Sequence, residues 1–312
     1  MNGERGSMMG TRAGTAAVLV WFLSAAAAPA AAADVALLRS TDAATWRPAI
    51  DALRRVAATH TVIDYDLKGD QAEANRVVET LKGRNVILVA LGPLAAQAAH
   101  EKAPELPLVF SMVQDPAKAG LAGVANAAGV AFTIPVKNQL AAFRMVNPRA
   151  RRIGVIYNAE NVGRLVQEAQ KAAAIVRLAV VERPVVTERE IPEALRALLQ
   201  GPEAVDALWI PPDPLLMGNE SRRFLLSETL KAGRPVYSSM ASLVAEGALA
   251  SNSPDFVSIG EQMGDLVNRV AAGEKRSEML VPRAELLINK KIADKLKVEI
   301  PADALKAANR VF

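Results

Sequence analysis

The stretch VILVALGPLAAQAAH, Val86 to His100, carries no charge until Glu101, His100 being neutral. Its first five residues are apolar and rich in β-branched types, the composition of a strand buried on both faces. Leu91-Gly92-Pro93 interrupts the run, and Leu94 to Lys102 continues as an alanine-rich helix. Proline suits the first helical turn, where an N–H would have no intrahelical partner. The unit therefore reads as strand, tight turn and helix. In open parallel sheets small ligands bind at the carboxyl ends of strands, and free helix N–H groups favour anions there. Plain core packing remains an equal alternative for this stretch taken alone.

The chain begins with Arg5 and Arg12, a short apolar run from Thr15 to Ala28, and Ala31-Ala32-Ala33. That order matches a secretory signal peptide cleaved near Ala33, and the apolar run falls short of the ~20 residues of a membrane-spanning helix. The remaining residues, from Asp34, suit two domains of ordinary size. Half the chain is hydrophobic, 51%, and 22% is charged, as in globular proteins. Net charge after Ala33 is about +3, and with no long basic run this argues against a nucleic-acid partner. Cysteine is absent, so an exported chain must rely on its core. A soluble periplasmic protein is expected.

Around the central unit, strands and helices alternate. Val35 to Leu38, Thr61 to Leu67, Leu108 to Met112 and Gly129 to Ile134 read as strands, with helices at Trp46 to Ala57 and Asp70 to Lys82. Pro135 marks a boundary, after which Arg152 to Tyr157, Leu178 to Val186, Ala207 to Ile210, Val236-Tyr237 and Ala248 to Asn252 repeat the pattern. Such alternation predicts βαβ units with parallel sheets. Asp255 to Ala272 is one long helix, and Asn289 to Lys297 and Ala302 to Val311 are final helices. The expected organisation is a leader at 1–33, a first lobe from 34–135 plus 254–279, and a second from 136–253 plus 280–312.

Leu106-Pro107-Leu108-Val109-Phe110, Asp115-Pro116 and Gly120-Leu121 together resemble the first-lobe signature of a bacterial ABC-transporter substrate-binding family. Asn147-Pro148, Arg152 to Asn158, Glu160-Asn161, Asp206-Ala207-Leu208, Asp213, Arg234-Pro235-Val236, Glu246 to Ala250 and Ile288-Asn289 follow in the family's order. The resemblance covers nearly all of the chain after the leader. It implies an α/β fold of two Rossmann-like lobes with parallel sheets, joined by a three-crossover hinge (periplasmic binding protein type I). Members of the family bind aromatic amino acids such as tryptophan and tyrosine.

Carried over by position, the resemblance implies ligand contacts from Gly92, Pro93, Leu94 and Ala95, acting through backbone N–H on an anionic group. Pro93 replaces the family's threonine or serine, removing a hydroxyl and one amide donor; Val162 replaces a serine after Asn161. Asn158 and Asn161 match the second-lobe loop, and Asp213 matches an acid that pairs with an amino group, against a turn-making role between prolines. Asp115 reads more as a turn and helix cap than as a contact. Ser238 and Ser239 serve either a ligand or the next helix. Thr41 lies in the loop after the first strand. Trp46 either covers the cleft or joins a helical core stripe, and Arg39 is a bidentate carboxylate partner or an exposed loop residue.

His60 and His100, the two histidines, stand in no metal-ligand spacing, so neither a metal nor a cofactor is expected. No phosphate loop and no nucleophile elbow occurs, so catalysis is not expected. The expected role is a monomeric solute-binding protein of an ABC importer, taking an amino-acid-like molecule or small carboxylate and delivering it to a membrane permease. A periplasmic sensor signalling to a receptor kinase is the alternative on the same fold.

Overall fold

A computed structural model describes Gly3, residues 32–275 and residues 277–312. The expected signal peptide lies, apart from Gly3 and its last two residues, outside them. The described residues from Ala32 onward belong to one unit.

The first sheet grows from β1 (Asp34–Arg39), β2 (Thr61–Asp66), β3 (Val86–Leu91), β4 (Leu108–Ser111) and β5 (Ala127–Val130), all parallel, in the order β2-β1-β3-β4-β5. All six residues of β3 are buried, as its unbroken apolar run requires of a central parallel strand. Helices α1 (Arg47–Val56), α2 (Gln71–Leu81) and α3 (Pro93–Lys102) connect the strands. Asp70 caps α2 by accepting from the amides of Ala72 and Glu73.

The second sheet contains β6 (Arg152–Tyr157), β7 (Ala179–Pro184), β8 (Ala207–Ile210), β9 (Val236–Ser238) and β10 (Ala250–Pro254). Its helices are α4 (Val136–Val146), α5 (Ala159–Ala173), α6 (Ile191–Leu199), α7 (Asn219–Lys231) and the short α8 (Ser242–Glu246). The chain then returns to the first lobe as α9 (Phe256–Ala271), which lies along α1. Gly260 and Gly264 make this crossing close: a Cβ at Gly260 would stand 2.0 Å from the Ala49 carbonyl oxygen, and one at Gly264 2.6 Å from Val56 Cβ. Strand β11 (Met279–Leu280) extends the first sheet beside β5. The last elements, β12 (Ala284–Ile288), α10 (Lys290–Leu296), α11 (Ala302–Ala307) and β13 (Arg310–Val311), complete the second lobe, whose strand order is β13-β12-β10-β9-β8-β6-β7.

The chain thus passes between sheets three times, at residues 131–135, at Asp255 and at residues 281–283, as the two-lobed fold predicts. Local differences have physical causes. The strand expected from Gly129 to Ile134 ends at Val130, because the following residues turn away as the first crossing. Strand β12 pairs antiparallel with β10, and this non-local partner is not readable from Ala284–Ile288 alone. The final helix stops at Ala307; Arg310–Val311 pairs with β12 instead, where Asn309 Oδ1 accepts from the Leu286 amide.

Candidate ligand-binding cleft

The turn that organises the first lobe is built as expected, yet its amides are largely in use. Gly92 caps α3 with φ +90°, a left-handed conformation that favours glycine. A Cβ there would lie 2.6 Å from Ser40 Oγ and 3.0 Å from Trp46 Cη2. The Gly92 N–H donates to the Ser111 carbonyl at 2.9 Å, Pro93 has no N–H, and the Ala95 N–H donates to Ser40 Oγ at 3.0 Å. Ser40 is itself buried. The chain's own hydroxyl therefore occupies the place expected for a ligand anion, leaving Leu94 as the remaining donor of the expected set. Half-buried Trp46 packs over this turn, whereas Thr41 is exposed on the neighbouring loop. Arg39 is committed internally, with Nε to Asp64 at 2.7 Å and Nη1 to Asp42 at 2.9 Å.

In the second lobe, Asp213 is fully buried. One carboxylate oxygen accepts from the Asn161 amide side chain at 2.7 Å and the Leu215 N–H at 3.0 Å; the other accepts from the Asn158 N–H at 2.5 Å. Asn158 in turn caps α5 through the Glu160 amide. The structure brings Asn158, Asn161 and Asp213 together, as a network that ties two loops to each other. Val162, just beyond, departs from helical geometry at φ −132° and kinks the start of α5. Ser238 is likewise engaged: its Oγ donates to the Ile210 carbonyl at 2.9 Å and accepts from the Met240 amide at 3.2 Å.

The two lobes meet through the loop that follows β4. Met112 adopts φ +60°, a conformation costly for a side chain with a Cβ, and the residues after it reach the second lobe. Gln114 Nε2 donates to the Pro212 carbonyl at 3.0 Å, and Lys118 Nζ donates to the Glu160 carbonyl at 3.1 Å. Asp115 caps the turn at Ala117 and Lys118 and pairs with Arg164 at 3.5 Å. The capping role favoured for Asp115 is present, together with a cross-lobe ion pair.

Two cavities lie between the lobes, with Gln114 and Thr133 lining both. The outer one, about 590 Å³, is charged, with Asp115, Lys118, Glu160 and Arg164 on its walls beside Asn161. The inner one, about 350 Å³, lies against the crossings and is bounded by Phe132, Ile134, Pro212, Met240, Pro254 and Phe256. Phe132 and Phe256 meet edge to face with centroids 6.1 Å apart, a favourable aromatic geometry. Ser239 and Ser253 also line this chamber, and both Oγ atoms are buried without a hydrogen-bond partner in the protein. Buried hydroxyls are normally paired; these two are not, and both lie behind the chamber wall. An apolar chamber with a few convergent polar groups is the usual form of a small-molecule site. Ser239 is the sequence candidate that reaches it. Phe132, Ser253 and Phe256 were missed; each sits where the chain changes lobe, and a boundary proline nearby is the one local sign.

A family model described as "ABC transporter substrate binding protein" matches residues 48–312. The chain belongs to that family. The substrate-binding protein is 26% identical over 253 residues to a "Tyrosine-binding protein" of Clostridioides difficile, covering 77% of this chain and 71% of that one. Among solved structures it resembles an ABC domain in complex with L-Trp from Streptococcus pneumonia, at 23% identity and TM-score 0.68, over 90% of this chain and 100% of that chain. It also resembles the ligand-free, open structure of CD0873, a substrate-binding protein with adhesive properties from Clostridium difficile, at 20% identity and TM-score 0.77, over 89% and 99%. These structural likenesses place the substrate-binding protein in the type I periplasmic fold. Among the described residues no group of His, Asp and Glu is gathered to hold a metal ion, and no helix is long and apolar enough to cross a membrane.

Proposed function

We propose that this chain is exported and captures a small ring-bearing solute between its lobes, for delivery to a membrane permease. The observation that carries the reading is the inter-lobe chamber, lined by Phe132, Phe256, Ser239 and Ser253. The ligands named for the tyrosine-binding relative and the L-Trp complex support a ring of that size and kind. A ligand touching both lobes would favour the closed arrangement over the open one, and the permease would recognise the closed form. Export rests on the basic, apolar and alanine-rich opening of the sequence. The protein is expected to work as a monomer.

Thermal-shift screening of the purified protein against amino acids, small carboxylates and aromatic compounds tests the capture. Stabilisation by at least one ring-bearing compound is expected, and it should be lost when Ser253→Leu fills the chamber. No stabilisation by any of them would remove this reading. Delivery is tested separately by uptake of the bound compound in a strain lacking the gene; unchanged uptake would point to sensing instead.

A further inference from the structure

We infer that the inner chamber selects an uncharged aromatic compound with hydrogen-bonding edges, such as an indole or a phenol, in preference to an aromatic amino acid zwitterion. This rests on the inter-lobe chamber being the ligand site. Three features of the chain lead there.

First, the residues bounding the chamber are apolar or neutral, and none of them is ionisable. A carboxylate or ammonium carried into such a space would lose its hydration without gaining an opposite charge, which is strongly unfavourable. Second, the groups expected to receive a zwitterion are, apart from the Leu94 N–H, already engaged. Both oxygens of Asp213 take protein donors at 2.5–3.0 Å, and the residue is fully buried. At the α3 turn, Ser40 Oγ holds the Ala95 amide, and Ser40 and Trp46 fill the space above Gly92. Third, the polar side chains lining the chamber are neutral: Ser239 and Ser253, whose Oγ atoms lie behind its wall without a protein partner and would donate or accept once turned inward, beside an edge-to-face phenylalanine pair. A ring N–H or O–H matches those hydroxyls, and the ring matches the phenylalanines. In the charged outer cavity, Asp115, Arg164 and Lys118 already make cross-lobe contacts.

Indole and p-cresol are the ring portions of tryptophan and tyrosine without the charged head, so the comparison isolates the head group. Titration calorimetry of the whole protein with indole, p-cresol, L-tryptophan and L-tyrosine should show each ring compound binding at least roughly tenfold tighter than its amino acid. Ser239→Ala and Ser253→Ala should each weaken indole binding about fivefold. They should leave the ligand-free melting temperature unchanged or raised, since each removes an unpaired buried hydroxyl. A variant that binds weakly and also melts lower would mark the hydroxyl as structural and overturn its assignment. Tighter binding of the amino acids, with loss on Ser253→Leu, would overturn this inference while sustaining the chamber as the site. Binding by none of the four, or binding that survives Ser253→Leu, would remove the chamber as the site and this inference with it.

Discussion

Asp213 is held by the protein's own donors. Its carboxylate accepts from Asn158, Asn161 and Leu215, three protein donors that would be left unpaired in Asp213→Ala. Hydrogen bonds to a charged acceptor contribute more than neutral ones, so this change should cost about 2–3 kcal/mol of stability in denaturant titration. Affinity of the remaining folded protein should fall less than stability does. A large affinity loss at unchanged stability would instead make Asp213 a ligand contact. Ser40 is the complementary case: as the acceptor for the Ala95 amide, its replacement by alanine frees that amide. Ser40→Ala should therefore lower stability by about 1 kcal/mol, measured by urea unfolding.

At the scale of elements, the contact of α1 with α9 depends on two glycines. Gly260→Ala would set a methyl group 2.0 Å from the backbone oxygen of Ala49. Backbone cannot swing aside as a flexible side chain can, so the helices must separate; a loss of about 2–3 kcal/mol is expected in thermal or chemical unfolding. Between β6 and β7, Tyr157 donates its hydroxyl hydrogen to Glu182 at 2.6 Å. Burial first, and then the hydrogen bond and charge of Glu182, push the phenol from its ordinary value near 10 up to about 12. Folding thus holds the proton more tightly than the unfolded chain does. The sign follows: this contribution is complete below pH ~10 and is lost as pH rises from there towards about 12. Tyr157→Phe should flatten the alkaline fall of stability in that window, read from denaturation midpoints below and above it.

For the whole molecule, closure is carried by few direct bonds. Gln114 to Pro212, Lys118 to Glu160 and Asp115 to Arg164 cross between lobes from one loop. The Arg164 side chain is 65% exposed, and exposed ion pairs contribute only about 0–1 kcal/mol. Arg164→Ala should accordingly change ligand affinity by less than about fivefold, with the difference fading at high salt. Small-angle scattering should show the wild-type lobes closing further on ligand addition; a chain equally compact with and without ligand would contradict capture by closure.

Much of this was readable in the residues. The unbroken apolar run of β3, the alternation of strands with helices, and Gly92 at a turn preceding a helix all follow from local rules, because burial on both faces, helical periodicity and left-handed backbone each leave a mark within a few residues. The order of weak motifs also sufficed to anticipate the family. The antiparallel place of β12 and the return of Arg310–Val311 as a strand left no such mark, because both depend on partners distant in the chain. The same holds for the site. The sequence could single out Gly92, Asn161 and Asp213 as candidates, but not that Ser40 fills the turn or that three donors saturate the acid. Nor could it unite Phe132 with Phe256, or set Ser239 and Ser253 in one chamber without partners. Local chemistry determined which elements form. The packing of two lobes decided which polar groups they satisfy themselves and which are left unpaired.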